Sequence, residues 1–305
     1  MVLVTPMFAH LKKKYPQCII HVLCTENNHP IIYNDPRIDK VFNYKNKICY
    51  LIKLFIHMRS ENYDYWIDSK DHYSLTGYVL ATFSNAKQKI GFNNKNNKPF
   101  TISISSEKEN HELHLVERNI KALYSLGINH YDSLRPAICL DISIIESIKS
   151  KYKNYFSKIV VVNISAGNKS RYWNNHDWIK LIRSITKHQL NIFMIFNPSD
   201  KFLAQDIFNA CVDVILFNSE NIRDVIALIS LAKLVISPDT SIIHIASAFN
   251  IPIIAFYPNI EWNYKKFHPL SDKYITMQPE RGECIKSITA ESTLERINSF
   301  IESII

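Results

Sequence analysis

One stretch, SPDTSIIHIASAFNIPIIAFYP at residues 237–258, constrains the fold of this chain more than any other. It follows a short apolar run, residues 232–236, whose branched side chains predict a buried strand. Residues that cap helices come next, then an apolar helix that ends before Asn250, then a second apolar run. This order of strand, helix and strand predicts a parallel sheet covered by helices.

The start of that helix is the first candidate functional site. Asp239, Thr240 and Ser241 stand at the helix start, and His244 follows one turn later on the same face. In an open parallel sheet, such a helix points its free N–H groups at the carboxyl ends of the strands, where phosphate groups bind. A capped packing helix with a buried histidine explains the same spacing, so the residues alone leave both interpretations open.

The composition favours two domains. The 305 residues, 47% of them hydrophobic, are enough to build two cores. With 36 Lys and Arg against 28 Asp and Glu, the formal charge is +8, but it is spread along the chain, so a solvated surface explains most of the excess. The six cysteines lack metal-binding spacing, which predicts reduced thiols in a cytosolic protein and no metal.

A second motif opens the second domain. The pattern loosens between residues 129 and 155, and we predict a first domain at 1–152 and a second at 153–305. The second begins with an apolar strand, followed by a turn of small residues, Ser165, Ala166 and Gly167, and then by Arg171. Backbone can approach a phosphate closely at such a turn, and an arginine can bind it with a fork of donors.

The two motifs together resemble glycosyltransferase family 9, the heptosyltransferase-like family. The order D-T-S-x-x-H-x-A-x-A-x-x-x-P is similar to the family's donor-binding motif, although Ser241 replaces a common glycine. Trp173 and Trp178 also fall in the family's register, and we predict that both pack in the core. The resemblance implies a nucleotide-diphosphate sugar donor of the ADP-heptose type. Its contacts would be Ser165, Ala166, Gly167, Arg171, Asp239, Thr240, Ser241 and His244. Of these, Asp239 is expected to cap the helix or orient the sugar.

Further candidates lie at other predicted strand ends, where ligands are met in such sheets. Asn197 and Asp200 are candidates for the donor's nucleoside. Lys70 and His72, in the loop after a predicted strand of the first domain, are candidates for the acceptor. A plain polar loop between strand and helix would have the same composition.

The catalytic base is the part of the site for which the sequence offers no residue in the family's register. The resemblance begins at Val2, and the Gly-Asp that carries the family's base would precede Met1. We therefore expect either an upstream start that restores a strand or a gene decayed at its 5′ end. Within the sequence, Asp68 and Asp71 are the candidates that could take the role of this base. The predicted fold is α/β, with two Rossmann-like domains facing a cleft in the GT-B arrangement and with the N-terminal strand missing.

The resemblance implies an inverting transfer of the sugar to a hydroxyl of a lipopolysaccharide-core or similar glycan acceptor, by general base chemistry and with no cofactor. It implies a location at the cytoplasmic face of the inner membrane, with peripheral membrane contact and no nucleic-acid partner. An inactive, truncated homologue that binds nucleotide or a partner is the alternative. A sugar-nucleotide epimerase is less favoured because the sequence lacks a G-x-x-G-x-x-G turn.

Overall fold

The computed structural model describes residues 1–45, 47–70, 72–91, 99–104, 112–155, 158–219 and 221–305. The chain divides into two compact units, with the boundary between Leu134 and Arg135. Residues 135–152, predicted from the sequence to be part of the first domain, belong to the second unit. One cause is Arg223 of that unit, which donates to the backbone oxygen of Cys139 at 3.2 Å and pairs with Asp141 at 3.2 Å.

The first unit contains two parallel sheets in its described residues. Strand β1 pairs with β2, and β4 pairs with both β3 and β5. The strands are β1 (His21–Thr25), β2 (Lys40–Tyr44), β3 (Tyr65–Asp68), β4 (Gln88–Gly91) and β5 (Ile102–Ser103). The helices are α1 (Thr5–Lys14), α2 (Ile48–Ser60), α3 (Leu75–Phe83) and α4 (Leu115–Lys121).

The second unit is built on one parallel sheet of six strands, in the order β11-β10-β9-β6-β7-β8. Counted from β6, this is the order 3-2-1-4-5-6 of the Rossmann fold. The strands are β6 (Ile159–Asn163), β7 (Asn191–Ile195), β8 (Val214–Phe217), β9 (Leu234–Pro238), β10 (Ile253–Phe256) and β11 (Tyr274–Met277). The helices are α5 (Ile142–Lys151), α6 (Asn175–Ile185), α7 (Lys201–Ala210), α8 (Ile222–Ser230), α9 (Ser241–Ala248), α10 (Glu261–Phe267) and α11 (Ala290–Glu302).

The core of the second unit forms because its central strands are buried along their whole length. Strands of a parallel sheet covered on both faces consist of nearly continuous apolar residues, as β6, β9 and β10 do. Trp173 and Trp178 pack edge to face in this core at 4.9 Å, and both also contact Phe256. Their predicted role as packing residues is confirmed.

Helix α9 begins and ends where the sequence predicts. Thr240 caps its start, and its hydroxyl accepts a hydrogen bond from the N–H of Ile242 at 3.3 Å. Asn250, just past the end, adopts the left-handed conformation with φ 54°, which asparagine tolerates better than most residues.

Among the residues described, none of the helices is both long and apolar enough to span a membrane.

Candidate donor-binding site

The predicted donor residues lie around the point where the strand order of the six-stranded sheet reverses. The order runs from β6 through β7 to β8 on one side and from β9 through β10 to β11 on the other. In open parallel sheets, ligands bind in the crevice at the carboxyl ends of the strands beside such a point. The eight residues predicted to contact the donor lie in the segments that follow β6 and β9, the last two of them in the first turn of α9.

Asn163, the last residue of β6, ties these two loops together. Its buried amide nitrogen lies 3.0 Å from the backbone oxygen of Ser165, 3.0 Å from the Ser237 hydroxyl and 3.3 Å from the Thr240 hydroxyl. Its amide oxygen accepts from the Ser165 N–H at 3.2 Å. The sequence did not predict that Asn163 is part of the site. Its only signal there is its own polar side chain at the end of an apolar strand.

Arg171 and Asp239 form the charged part of the site. One guanidinium nitrogen of Arg171 lies 3.2 Å from the Asp239 carboxylate and 3.3 Å from the Asp239 backbone oxygen. The other lies 3.4 Å from the amide oxygen of Asn263. These contacts are long for charge-assisted hydrogen bonds, but they orient the guanidinium. They do not use all five of its N–H donors. The Arg171 side chain is 32% exposed and can reach a ligand.

The expectation that Asp239 caps the helix is wrong, because Thr240 is the cap. The Asp239 carboxylate is buried and instead accepts a hydrogen bond from the Asn263 amide at 2.8 Å. Burial raises the pKa of Asp239, while the hydrogen bond from Asn263 and the charge of Arg171 oppose that rise. Asp239 therefore holds Arg171 in place.

The turn after β6 is open at Gly167. A Cβ atom built at Gly167 would meet no atom within 4 Å, and the residue is exposed. Ser165 has a different role, since its hydroxyl accepts from the Asn197 N–H at 2.8 Å and so ties the ends of β6 and β7. Ser241 is exposed at the first residue of α9. Ala166, between Ser165 and Gly167, is half-buried.

His244 lies on the first turn of α9 and is buried. Burial lowers its pKa from 6.5 to about 3, so the imidazole is neutral at physiological pH. Its ring packs against Phe267, with 6.1 Å between centroids. Among the residues described, none gives its Nδ1 a hydrogen bond. A neutral imidazole carries one N–H, so His244 can donate to a phosphate through only one nitrogen.

Asn197 and Asp200 follow β7 as predicted, but both side chains already have partners. The amide oxygen of Asn197 accepts from the Ser199 N–H at 3.1 Å, and the Asp200 carboxylate accepts from the Tyr172 hydroxyl at 2.8 Å. A cavity of about 250 Å³ opens beside Tyr172. Its lining contains none of the predicted donor residues and consists of Lys169, Tyr172, Trp173, Asn174, Asn175, Leu203 and Lys286.

The candidates of the first unit cluster at the carboxyl end of β3. The Asp68 carboxylate accepts from the backbone N–H of Lys70 at 3.0 Å, and burial raises its pKa. The Lys70 amine donates to the Ser74 hydroxyl at 2.6 Å. Gly77 makes room for Asp68, because a Cβ atom there would lie 2.1 Å from its carboxylate. His72 is exposed, and Asp71 lies outside the described residues.

The Rossmann strand order and the polar loops at its reversal are those of a nucleotide-binding α/β protein. A profile of the family described as glycosyltransferase family 9 (heptosyltransferase) matches residues 51–297. Because this match covers more than half of the sequence, the chain belongs to glycosyltransferase family 9. Its enzyme class is glycosyltransferase.

Comparisons with individual proteins agree with this family assignment. The chain is 25% identical over 283 residues to lipopolysaccharide heptosyltransferase 3 of Escherichia coli strain K12, covering 84% of this chain and 78% of the relative. A family 9 glycosyltransferase from Veillonella parvula superposes with a TM-score of 0.85 at 15% identity, covering 99% of this chain and 93% of that one. Escherichia coli ADP-heptose lipopolysaccharide heptosyltransferase II superposes with a TM-score of 0.81 at 18% identity, covering 99% and 95%. These similarities confirm the predicted GT-B-like α/β fold.

Proposed function

We propose that the second unit binds a nucleotide-diphosphate sugar of the ADP-heptose type where the strand order reverses. The observation that supports the proposal is that Arg171 lies beside the amino end of α9. Asp239 and Asn263 orient its guanidinium there. Arg171 and the amino end of α9 both present positive charge to an anion, one as a guanidinium and one as the positive end of a helix dipole, and both can stabilise the diphosphate as it leaves.

The reaction that follows is transfer of the sugar to a hydroxyl of a lipopolysaccharide-core glycan, with inversion at the anomeric carbon. The acceptor hydroxyl loses its proton to a carboxylate as it attacks. The fold and family support this reaction, and the names of the relatives support the sugar and the acceptor. The test is a product assay with ADP-heptose and deacylated core acceptor. Transfer of one heptose, with the product's anomeric configuration determined by NMR, supports it; donor binding without product favours the inactive homologue.

Among the described residues, we propose Asp68 as the catalytic base. A carboxyl group whose pKa is raised by burial is a better proton acceptor than an ordinary aspartate. Replacing Asp68 by Asn should lower kcat by about 100-fold and leave ADP affinity unchanged, because general base catalysis contributes 10²–10⁴-fold. Initial rates of heptose transfer measure the first effect, and calorimetry with ADP measures the second.

Asp64→Asn is the matched control, because Asp64 lies just before β3, is exposed and pairs with Lys87 at 2.7 Å. Its kcat should stay at the level of the unchanged protein. A kcat for Asp68→Asn equal to that of the control would remove Asp68 from the mechanism. In that case Lys70 and His72 remain the proposed acceptor contacts.

Gly167 tests whether the turn after β6 faces the donor. Replacing it by Gln fills the open space above the turn and should weaken ADP binding about 10-fold, because the side chain occupies the path of the diphosphate. Gly167→Ala, which adds one methyl group to free space, should change neither affinity nor thermal stability. Equal ADP affinity for both variants would place the diphosphate elsewhere.

We also propose that α2 contacts an anionic membrane surface. Its outward face exposes Ile52 and Ile56, at 52% and 64%, beside the exposed cations Lys53 and Arg59. A helix with apolar and basic residues on one face binds at the interface of anionic lipids through both kinds of contact. Contact through this face of α2 would bring the enzyme to a lipid-linked acceptor.

Vesicle co-sedimentation measures this contact. The unchanged protein should bind phosphatidylglycerol vesicles and not phosphatidylcholine vesicles, and Ile52→Glu with Ile56→Glu should abolish that binding. Ile142→Glu, at an isoleucine of α5 that is 71% exposed, is the control and should bind like the unchanged protein. Binding that survives the double substitution would exclude this face.

A further inference from the structure

Three side chains of the first unit, separate from every candidate above, meet at one place. His21 is the first residue of β1, His57 lies in the last turn of α2, and Glu61 follows directly after that helix. One nitrogen or oxygen atom of each lies within 4.8 Å of the others. Within the described ranges this is the one group of three or more such side chains with metal-binding spacing.

His57 and Glu61 are already arranged as a pair. Residues four apart share one face of a helix, and Nε2 of His57 lies 3.2 Å from the Glu61 carboxylate. That nitrogen is buried, and none of the described residues gives it a hydrogen bond of acceptable geometry. A buried polar atom without a partner destabilises the fold unless something else satisfies it, and a metal ion would do so.

His21 is held by its neighbours as the imidazole ligands of metals are. Its Nδ1 lies 2.8 Å from the Tyr63 hydroxyl, and a contact of this kind orients the ring and selects the nitrogen that is left for a metal. Phe42 packs on both histidines, with centroid distances of 5.8 Å to His21 and 4.6 Å to His57. The two rings are therefore fixed by packing before any ion arrives.

We propose that His21, His57 and Glu61 bind a divalent transition metal ion of the Zn²⁺ class. Two imidazoles and a carboxylate with an open fourth position are a common ligand set for Zn²⁺. Ligand atoms around a tetrahedral Zn²⁺ lie roughly 3.4 Å apart at bond lengths of about 2.1 Å. The pair formed by His57 and Glu61 has nearly this spacing at 3.2 Å, and the ligand atom of His21 lies within 4.8 Å of both.

The cluster lies at the opposite end of β3 from the candidate catalytic residue. His21 begins β1, and Tyr63 precedes β3, so the cluster is at the amino ends of these strands. Asp68 and Lys70 are at the opposite, carboxyl end of β3. The ion would fasten the end of α2 to β1, and this inference holds whether or not the proposed sugar transfer occurs.

Calorimetric titration of Zn²⁺ into the chelator-treated full chain tests the site, with Co²⁺ absorption as a report on ligand geometry. We expect one ion per chain and a tetrahedral Co²⁺ spectrum. His57→Ala and His21→Ala should each weaken Zn²⁺ binding by more than about 100-fold. Tyr63→Phe should weaken it by about 10–100-fold, as is usual for a residue that orients a ligand. Zn²⁺ should raise the melting temperature of the unchanged chain but not that of the His57→Ala or His21→Ala variant.

His130→Ala is the matched control, because His130 is an exposed histidine of the same unit. It should bind Zn²⁺ as the unchanged chain does. Glu61→Gln keeps the shape of the side chain and replaces the alanine variants if those fail to fold. Zn²⁺ affinity retained by both His57→Ala and His21→Ala, or lost equally in His130→Ala, would overturn the proposal.

Discussion

Replacing Arg171 by Met should weaken the binding of ADP and ADP-heptose by about 100-fold or more. The substitution keeps most of the length of the side chain and removes the charge that the diphosphate would meet. Hydrogen bonds to charged groups contribute about 1.5–3 kcal/mol each, so the loss of two accounts for this factor. Isothermal titration calorimetry with ADP measures the change directly.

The same substitution should also lower stability, because Asp239 would stay buried without its cation. The double variant Arg171→Met with Asp239→Asn separates the two effects, since it removes both charges. It should recover stability but not ADP affinity. Arg183→Ala is the control, because Arg183 is an exposed arginine of α6 that donates to the backbone oxygen of Ala210. ADP affinity that is equal in Arg171→Met and Arg183→Ala would contradict the proposed anion site.

Lowering the pH from 7.5 to 5 should reduce the free energy of unfolding by about 2 kcal/mol through His244 alone. Burial lowers the pKa of this histidine from 6.5 to about 3 in the folded chain. Between these two values the unfolded chain takes up a proton that the folded chain does not, so stability falls as the pH falls. Urea denaturation measures the free energy of unfolding, and the fluorescence of Trp173 and Trp178 reports the core of the second unit.

His244→Gln isolates this contribution, because glutamine does not titrate. The difference in unfolding free energy between the unchanged chain and His244→Gln should narrow by about 2 kcal/mol over the same pH range. His176→Gln, at an exposed histidine of α6, is the control for the replacement of a histidine by glutamine. Parallel pH profiles for the unchanged chain and His244→Gln would show that His244 is not held neutral by burial.

The sequence predicted the loops of the site because capping residues and apolar runs are local signals. Thr240 at the start of α9 and Asn250 after its end are set by the conformations that their own backbones require. Trp173 and Trp178 were predictable as core residues for a related reason, since a parallel sheet must be covered by large apolar side chains.

The contacts that organise the site were not predictable, because they join residues far apart in the chain. Asn163 bonds to Ser237 and Thr240, and Asn263 bonds to Asp239 and Arg171. An amide near an apolar run has no periodicity that marks its partner. Of the two roles predicted for Asp239, the helix cap was therefore wrong, and orientation of the sugar stays a prediction.

In the first unit, the cluster of His21, His57 and Glu61 escaped detection for the same reason. His21 lies on a strand and the other two at the end of a helix, so a search for closely spaced ligands in the sequence does not find them. Gly77 similarly gave no signal, although it makes room for Asp68.

Hydrogen–deuterium exchange with and without ADP-heptose tests the central claim most directly. The claim is that the donor binds where the strand order reverses between β6 and β9. We expect slower exchange on donor binding in the turn at residues 166–171 and in the first turn of α9, with smaller changes elsewhere in the second unit. Unchanged exchange in both segments at saturating ADP-heptose, or protection found only in other segments, would contradict it.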